Sequence, residues 1–222
     1  MAMKPLVAIF AHPDDEAFGP SGTLATFAKE RDVYLICVTD GDAGQNALES
    51  VTNLGETRRG ELTQSAKIIG VKEVEFLGYK DGSLSNNLYH EVAEKIEKLL
   101  QKYQPDTLLT FNQLGISGHI DHIFVSLVTT FVYRKTKFVK KLLYYSELET
   151  VLGEMKDYFI YMPPGIEINE ADLVVDVSSV WETKLSAINC HQSQKQDGEM
   201  IKQQLSKHPK KEYFKILQKE NP

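Results

Sequence analysis

Cysteine is nearly absent from this chain. Its 222 residues include two, Cys37 and Cys190, and neither has a second cysteine at the short spacing of a metal clip or redox pair. A disulfide framework is excluded, and a reduced, cytoplasmic setting is the expectation. Long apolar runs are also missing. No stretch approaches the roughly 18 apolar residues of a membrane span, and the first run, Leu6 to Phe10, is too brief for a secretory-signal core. Basic excess is missing too: 25 Lys and Arg against 31 Asp and Glu leave a net charge of −6. That balance argues against nucleic acid or a membrane surface as partner. The densest basic stretch, Arg134, Lys135, Lys137, Lys140 and Lys141, reads as a solvated helix end and loop.

What is present suffices for a core without staples. Hydrophobic residues make up 42% of the chain and charged residues 25%, as in ordinary globular domains. With no internal repeat or low-complexity linker, residues 1–222 read as one domain, with 195–222 as a C-terminal helical extension. A homo-oligomer is left open.

Short apolar runs alternate with amphipathic ones. Leu6 to Phe10 reads as a buried strand, followed by a polar turn and a helix over about Ala17 to Glu30. Val33 to Val38 is a second strand, with Cys37 packed inside it. Leu62, Ala66 and Ile69 have helical spacing, and Gly70 stops that helix. Val74 to Leu77 is a third strand, Val92, Ile96, Leu99 and Leu100 mark the next helix, and Thr107 to Phe111 is a fourth strand. This β-α-β rhythm predicts an α/β fold: a mainly parallel, Rossmann-like sheet with helices on both faces. Further on, Leu142 to Tyr145 and Leu173 to Val177 read as strands. Tyr158 to Met162 reads as an edge strand before the Pro163-Pro164-Gly165 turn, and Ser178 or Ser179 as the cap of a helix reaching about Gln192. Extra edge strands and C-terminal helices complete the expectation.

Two polar clusters follow apolar strands. Ala11-His12-Pro13-Asp14-Asp15-Glu16 follows the first, and Gly118-His119-Ile120-Asp121-His122 follows the fourth. Parallel sheets bind ligands at the C-terminal ends of their strands, so both clusters belong on one rim. A catalytic zinc needs three protein ligands of imidazole or carboxylate type and one open position. His12 and Asp15 are three apart, so one tight turn aims both at a single point. Asp14 then projects elsewhere, beside a metal without binding it, where a base for water must stand. Of His119 and His122, one can ligate while the other faces substrate. Asp121 can orient a histidine through its second ring nitrogen, and a histidine held protonated in this way would stabilise an oxyanion. Residue chemistry alone therefore points to a metal hydrolase.

At these residues the chain resembles the LmbE-like, or PIG-L, N-acetylglucosaminyl deacetylases. Further pieces match in order: Thr39-Asp40-Gly41-Asp42-Ala43-Gly44, then Arg58-Arg59-Gly60-Glu61-Leu62, then Leu77-Gly78-Tyr79-Lys80-Asp81-Gly82, then Lys184 through His191-Gln192-Ser193-Gln194. The resemblance spans about residues 5–194. It implies one zinc ion, with iron(II) as an alternative, on His12, Asp15 and His122, and Asp14 as general base. It implies that His119 stabilises the tetrahedral intermediate and that Asp121 orients His119. Arg58 and Asp81 match positions that contact glucosamine hydroxyls, and His191 would lie near the substrate. The implied reaction is hydrolysis of an N-acetyl amide, on a small N-acetyl sugar derivative, to acetate and a free amine. Glu16 reads as a helix-start carboxylate satisfying backbone N–H groups, and His90 and His208 as surface residues.

Ile120 stands where many relatives have proline, and Ser117 where some have a tyrosine, so no tyrosine role carries over. The segment from about Ser146 to Glu170 has no match. An amidase on a sugar–thiol conjugate is the neighbouring reading, and a non-catalytic sugar-binding relative is the reading from another class. Binding alone requires no base, and Asp14 is retained. A dinucleotide-binding protein would need a glycine-rich turn where His12 to Asp15 stand.

Overall fold

The computed structural model describes residues 3–48, 51–155 and 161–219. Seven strands form one sheet: β1 (Leu6–Phe10), β2 (Val33–Thr39), β3 (Glu73–Tyr79), β4 (Thr107–Phe111), β5 (Lys141–Ser146), β6 (Leu173–Asp176) and β7 (Lys211–Gln218). Their order is β3-β2-β1-β4-β5-β7-β6. The first five are parallel, β7 runs antiparallel to β5, and β6 antiparallel to β7. The expected α/β architecture is present, and β6 supplies the extra edge.

Every residue of β1, β2 and β4 is buried, because helices cover both faces and successive side chains point to opposite sides. Leu6, Ala8 and Phe10 face a core closed by α2 (Ser21–Ala28), α3 (Leu54–Ile69) and α8 (Trp181–Ile188). Val7 and Ile9 face a second core closed by α4 (Tyr89–Tyr103) and α6 (Ile120–Lys135). The remaining helices are α1 (Asp15–Phe18), α5 (Gly115–Gly118), α7 (Glu149–Leu152) and α9 (Lys195–Leu205).

Four details differ from expectation. The helix expected after β1 is broken in two at Gly19-Pro20, since proline lacks an N–H and restricts the residue before it. The C-terminal extension is helical only through α9. After Pro209 it becomes β7, inserted between β5 and β6. The helix expected after Ser178 starts as a 3₁₀ turn with no serine cap, and α8 ends at Ile188. The first residues of the edge strand expected over Tyr158 to Met162 lie outside the described residues, and Tyr161 and Met162 are in no strand. Among the described residues no helix is long and apolar enough to cross a membrane.

The strand order fixes where a site can form. The chain builds outward from β1 to β2 and β3, then crosses back to place β4 on the other side of β1. The loops after β1 and β4 diverge at this reversal, which opens a crevice at their carboxyl ends.

Candidate active site

Both polar clusters lie in that crevice. After β1 the chain turns sharply into α1, and Asp14 adopts φ 135°, ψ −23°, a backbone state costly for a side-chain-bearing residue and concentrated at functional sites. The turn is tied down from inside. Asp15 Oδ2 accepts N–H groups from Ala11 at 3.0 Å and His12 at 2.8 Å. After β4, His119 caps α6: its Nδ1 accepts the Asp121 N–H at 3.2 Å. His122 follows in the first turn.

The ring protons can be assigned from partners. His122 Nδ1 meets the Gly115 carbonyl at 3.0 Å; a carbonyl only accepts, so the proton sits on Nδ1 and Nε2 carries a lone pair. His12 Nε2 faces Asp81 Oδ1 at 3.0 Å and Asp121 Oδ2 at 3.3 Å, which assigns its proton to Nε2 and leaves Nδ1 as the donor atom. His12 Nδ1 and His122 Nε2 then confront each other at 3.1 Å. Asp15 Oδ1 lies 3.2 Å from His122 Nε2, and Asp15 Oδ2 lies 3.8 Å from His12 Nδ1.

Two lone pairs and a carboxylate oxygen facing one point repel unless a cation or proton lies between them. Tetrahedral ligands at about 2.05 Å from zinc are about 3.3 Å apart; the His12–His122 and Asp15–His122 separations match this, and the 3.8 Å from Asp15 to His12 is longer. The protonation pattern tells the same story. Burial disfavours charge on His12, but hydrogen bonds from Asp121 and Asp81 and the charge of Asp15 outweigh it and hold the pKa up at about 10. Burial likewise opposes ionisation of Asp15, yet His122 and His12 hold it well below the usual carboxylate range. Donor atoms of His12, His119 and His122, and of His12, Asp81 and Asp121, cluster within 4.8 Å, two groupings that do not include Asp15. His12 is common to every grouping. We favour the Asp15 set, because Asp81 and Asp121 address the protonated nitrogen of His12, and His119 Nδ1 is spent on the Asp121 N–H.

Asp14 is held by Arg58. Its Oδ2 accepts from Arg58 at 3.0 Å, and Arg58 also donates to the Pro13 and Gly41 carbonyls. Gly41, at φ +65°, is needed here: a Cβ would lie 2.6 Å from the guanidinium. Burial raises the Asp14 carboxyl from 3.8, Arg58 pulls it back, and the charge of Asp15 adds to the rise; the result is about 6.

The sequence-predicted residues separate into three groups. His12, Asp14, Asp15, Arg58, Asp81, His119 and His122 line one cavity. Asp121 sits behind it, but its described side-chain contacts are His12 and the Gly82 N–H at 2.8 Å. Its carboxylate therefore orients His12, and its charge also acts on His119, to which the resemblance assigned it. His119 is not held protonated. Burial lowers its pKa, as do the charges of His12 and His122. His191 does not reach the cavity wall. It is 1% exposed, and its Nε2 lies 2.8 Å from Glu16 Oε1. Glu16 also accepts from the Ser65 hydroxyl at 2.5 Å and from the Asp14 N–H at 3.2 Å. It caps backbone as expected and is in addition a buried hub, with His191 bracing the strained turn. His90 is exposed, whereas His208 lines the cavity.

Sequence reasoning missed other parts of the wall. Asp42 Oδ1 accepts the Asp81 N–H at 2.9 Å and sets that loop. Lys184, matched in a motif without a role, is 1% exposed and reaches Glu212 at 2.8 Å and the Gly19 carbonyl. A lysine three and four positions before Ala187 and Ile188 in a buried helix was the available signal. Tyr145, Glu147, Trp181 and Glu212 carried none.

A Rossmann-like sheet with a buried His/Asp donor triad at its switch point, flanked by an ionisable aspartate, defines a candidate hydrolytic metal centre. The sequence places it more narrowly. Residues 7–133 match the family described as PIG-L: GlcNAc-PI de-N-acetylase, and the chain belongs to that family. A 1D-myo-inositol 2-acetamido-2-deoxy-alpha-D-glucopyranoside deacetylase of Mycobacteroides abscessus is 29% identical, over 87% of this chain and 82% of the relative. A probable N-acetyl-alpha-D-glucosaminyl L-malate deacetylase 2 of Bacillus cereus is 30% identical, over 85% of this chain and 83% of its own length. Among solved structures, the N,N'-diacetylchitobiose deacetylase of Pyrococcus horikoshii has a TM-score of 0.75 at 22% identity, over 97% of this chain and 84% of that one. The 4-carboxy-2-hydroxymuconate hydratase GalB of Pseudomonas putida also scores 0.75, at 17% identity, over 99% and 98%. At such identities these two likenesses concern the fold.

Proposed function

We propose that this chain is a metal-dependent N-deacetylase that hydrolyses a small N-acetylglucosamine derivative to acetate and the free amine, with His12, Asp15 and His122 as metal ligands. One observation carries the reading: His12 Nδ1 and His122 Nε2, 3.1 Å apart, converge with Asp15 beside Asp14, a buried carboxylate held by Arg58. The acetamido-sugar deacetylases to which the chain is similar support the substrate class.

A zinc ion, when bound, supplies Lewis acidity toward the amide carbonyl and lowers the pKa of water; iron(II) suits the same donors. Asp14 takes the proton of the attacking water. A carboxyl near 6 is ionised at neutral pH yet more basic than an ordinary aspartate. His119 is neutral with Nδ1 occupied as an acceptor, so it donates from Nε2 to the oxygen that gains charge as the carbonyl carbon becomes tetrahedral. Asp14 then returns the proton to the leaving nitrogen. Arg58 holds Asp14, Asp121 and Asp81 hold His12, and Arg58 and Asp81 line the cavity within reach of sugar hydroxyls. His191 takes a positioning role through Glu16.

The test is acetate release from a panel of N-acetylglucosamine derivatives, with metal analysis, before and after chelation. Loss on chelation and recovery with zinc is expected. Turnover that survives complete removal of metal would overturn the reading, and bound metal with no hydrolysis of any N-acetyl sugar would favour a sugar-binding relative.

A further inference from the structure

The cavity that starts at the donor triad has a volume of about 340 Å³ and continues well past the triad. Its continuation is apolar: Phe18, Leu148, Val151, Trp181, Ile201 and Leu205 all line it and all remain half-buried rather than sealed in the core. Five of these six come from the chain beyond residue 133, where the family match ends. α7, α8 and α9 supply Val151, Trp181, Ile201 and Leu205. The donor triad is thus built from the family-matched half, and the apolar chamber from the other half.

The buried charged groups Lys184, Glu212 and Glu147 in the chamber wall are partnered within the protein. Lys184 is paired with Glu212, and Glu212 in turn accepts the N–H groups of Gly22 and Thr23 at 3.0 and 2.7 Å. Glu147 accepts from the Tyr145 hydroxyl, and burial raises its carboxyl above the usual range. A sugar ring placed against these apolar residues would leave hydroxyls without partners, which is unfavourable. A hydrocarbon or aryl group loses nothing there and gains by leaving water. The hydrogen-bonding side chains Arg58, Asp81 and Gln194 lie toward the triad end, and they suit the sugar.

We infer that the substrate is amphipathic: an N-acylated amino sugar carrying an alkyl or aryl substituent, which the chamber formed by α7, α8 and α9 buries. The inference rests on the deacetylase reading and deepens it. The substituent enters either as the aglycone of a glycoside or as a longer acyl chain on the amide, and both present the same apolar surface to these residues.

The experiment compares kcat/KM for methyl and octyl glycosides of N-acetylglucosamine, and for N-acetyl and N-octanoyl glucosamine. A gain of tenfold or more for octyl over methyl places the group on the glycoside. The same gain for N-octanoyl over N-acetyl places it on the amide. Gains below tenfold in both series overturn the inference, as does a carboxymethyl glycoside outpacing the octyl one. Val151→Gln and Leu205→Gln should each cut the preferred ratio at least fivefold, with thermal transitions recorded to confirm folding. A separate arm needs no turnover: calorimetric binding of octyl against methyl β-glucoside, which have no amide. Tenfold tighter octyl binding in a protein that releases no acetate would leave the chamber assignment standing and remove the deacetylase reading. Equal binding in an active enzyme that also shows no N-octanoyl gain would do the reverse.

Discussion

Asp14→Asn separates a catalytic role from a structural one, because the two roles predict opposite changes in stability. The substitution is nearly isosteric. Its side-chain oxygen can still accept from Arg58, which lies 3.0 Å away, and asparagine tolerates positive φ better than most residues. Burial, partly offset by Arg58 and reinforced by Asp15, lifts the folded carboxyl from 3.8 to about 6. An acid with a raised pKa contributes no penalty below about pH 3.8; the penalty grows as pH rises toward 6 and is complete above it. Two units at 1.36 kcal/mol per unit make the ionised carboxylate roughly 3 kcal/mol costly to the metal-free fold at neutral pH. Removing the charge should therefore leave the metal-free protein as stable as the parent or more so, by about 1–3 kcal/mol in urea denaturation at pH 7. Loss of a general base should lower kcat by about 10²–10⁴, at unchanged metal content, since Asp14 is outside the donor triad. Turnover within tenfold of the parent at full metal loading would refute the base assignment. A stability loss of several kcal/mol would show instead that Asp14 is there for the fold.

Three further outcomes are expected. In the metal-free protein His12, with its pKa near 10, keeps a proton through the neutral range, and metal must displace it. Zinc affinity measured by competition with a chromophoric chelator should thus rise about tenfold per pH unit between roughly pH 7 and 9; a flat profile would contradict the Nδ1 assignment, and His12→Ala should abolish stoichiometric metal. Lys184→Met leaves the Glu212 carboxylate buried without its cation, so urea denaturation should show a loss of about 3–5 kcal/mol, and adding Glu212→Gln should recover part of it. Gly41→Ala brings a Cβ against Arg58 at a φ of +65°; kcat should fall with metal content preserved, and a variant of parental kcat would mean the Arg58–Asp14 contact is dispensable.

How far the sequence could be read depended on what enforced each feature. β1, β2 and β4 were legible because strands covered on both faces are written as uninterrupted apolar runs. The donors were legible because His12 and Asp15 on one side, and His119 and His122 on the other, are dense clusters placed directly after such strands. β7 was not, because Lys211 to Gln218 mixes charge with apolar residues in no period. Glu212, an unlikely strand-core residue by composition, is buried only because Lys184 and the N-terminus of α2 neutralise it, and no spacing rule reports a partner 28 positions away. Asp121 and His191 were found as residues, but spacing did not report the distant partners they take. Their partners are His12, 109 positions distant, and Glu16, 175 positions distant, and only folded geometry decides between candidate histidines.

The likeness to both a chitobiose deacetylase and a hydratase, each at a TM-score of 0.75, shows what the fold leaves undecided. A switch point between β1 and β4 provides a crevice and two divergent loops, whatever chemistry is performed there. The reaction is selected by smaller features. The His12 ring is turned by Asp81 and Asp121 so that its Nδ1 faces His122 and Asp15. Asp14 is carried on a costly backbone angle to a place where its carboxylate accepts from Arg58. Each of these is maintained by a buried anchor: Asp42 under the Asp81 loop, Gly82 against Asp121, and Glu16 with His191 and Ser65 beneath the Asp14 turn. Those anchors come from the loops after β2 and β3, from α1 and α3, and from the segment after α8. Hydrolytic chemistry on this sheet is therefore a property of three converging loops and their supports, and a chain that shares the sheet without the anchors has no reason to share the reaction.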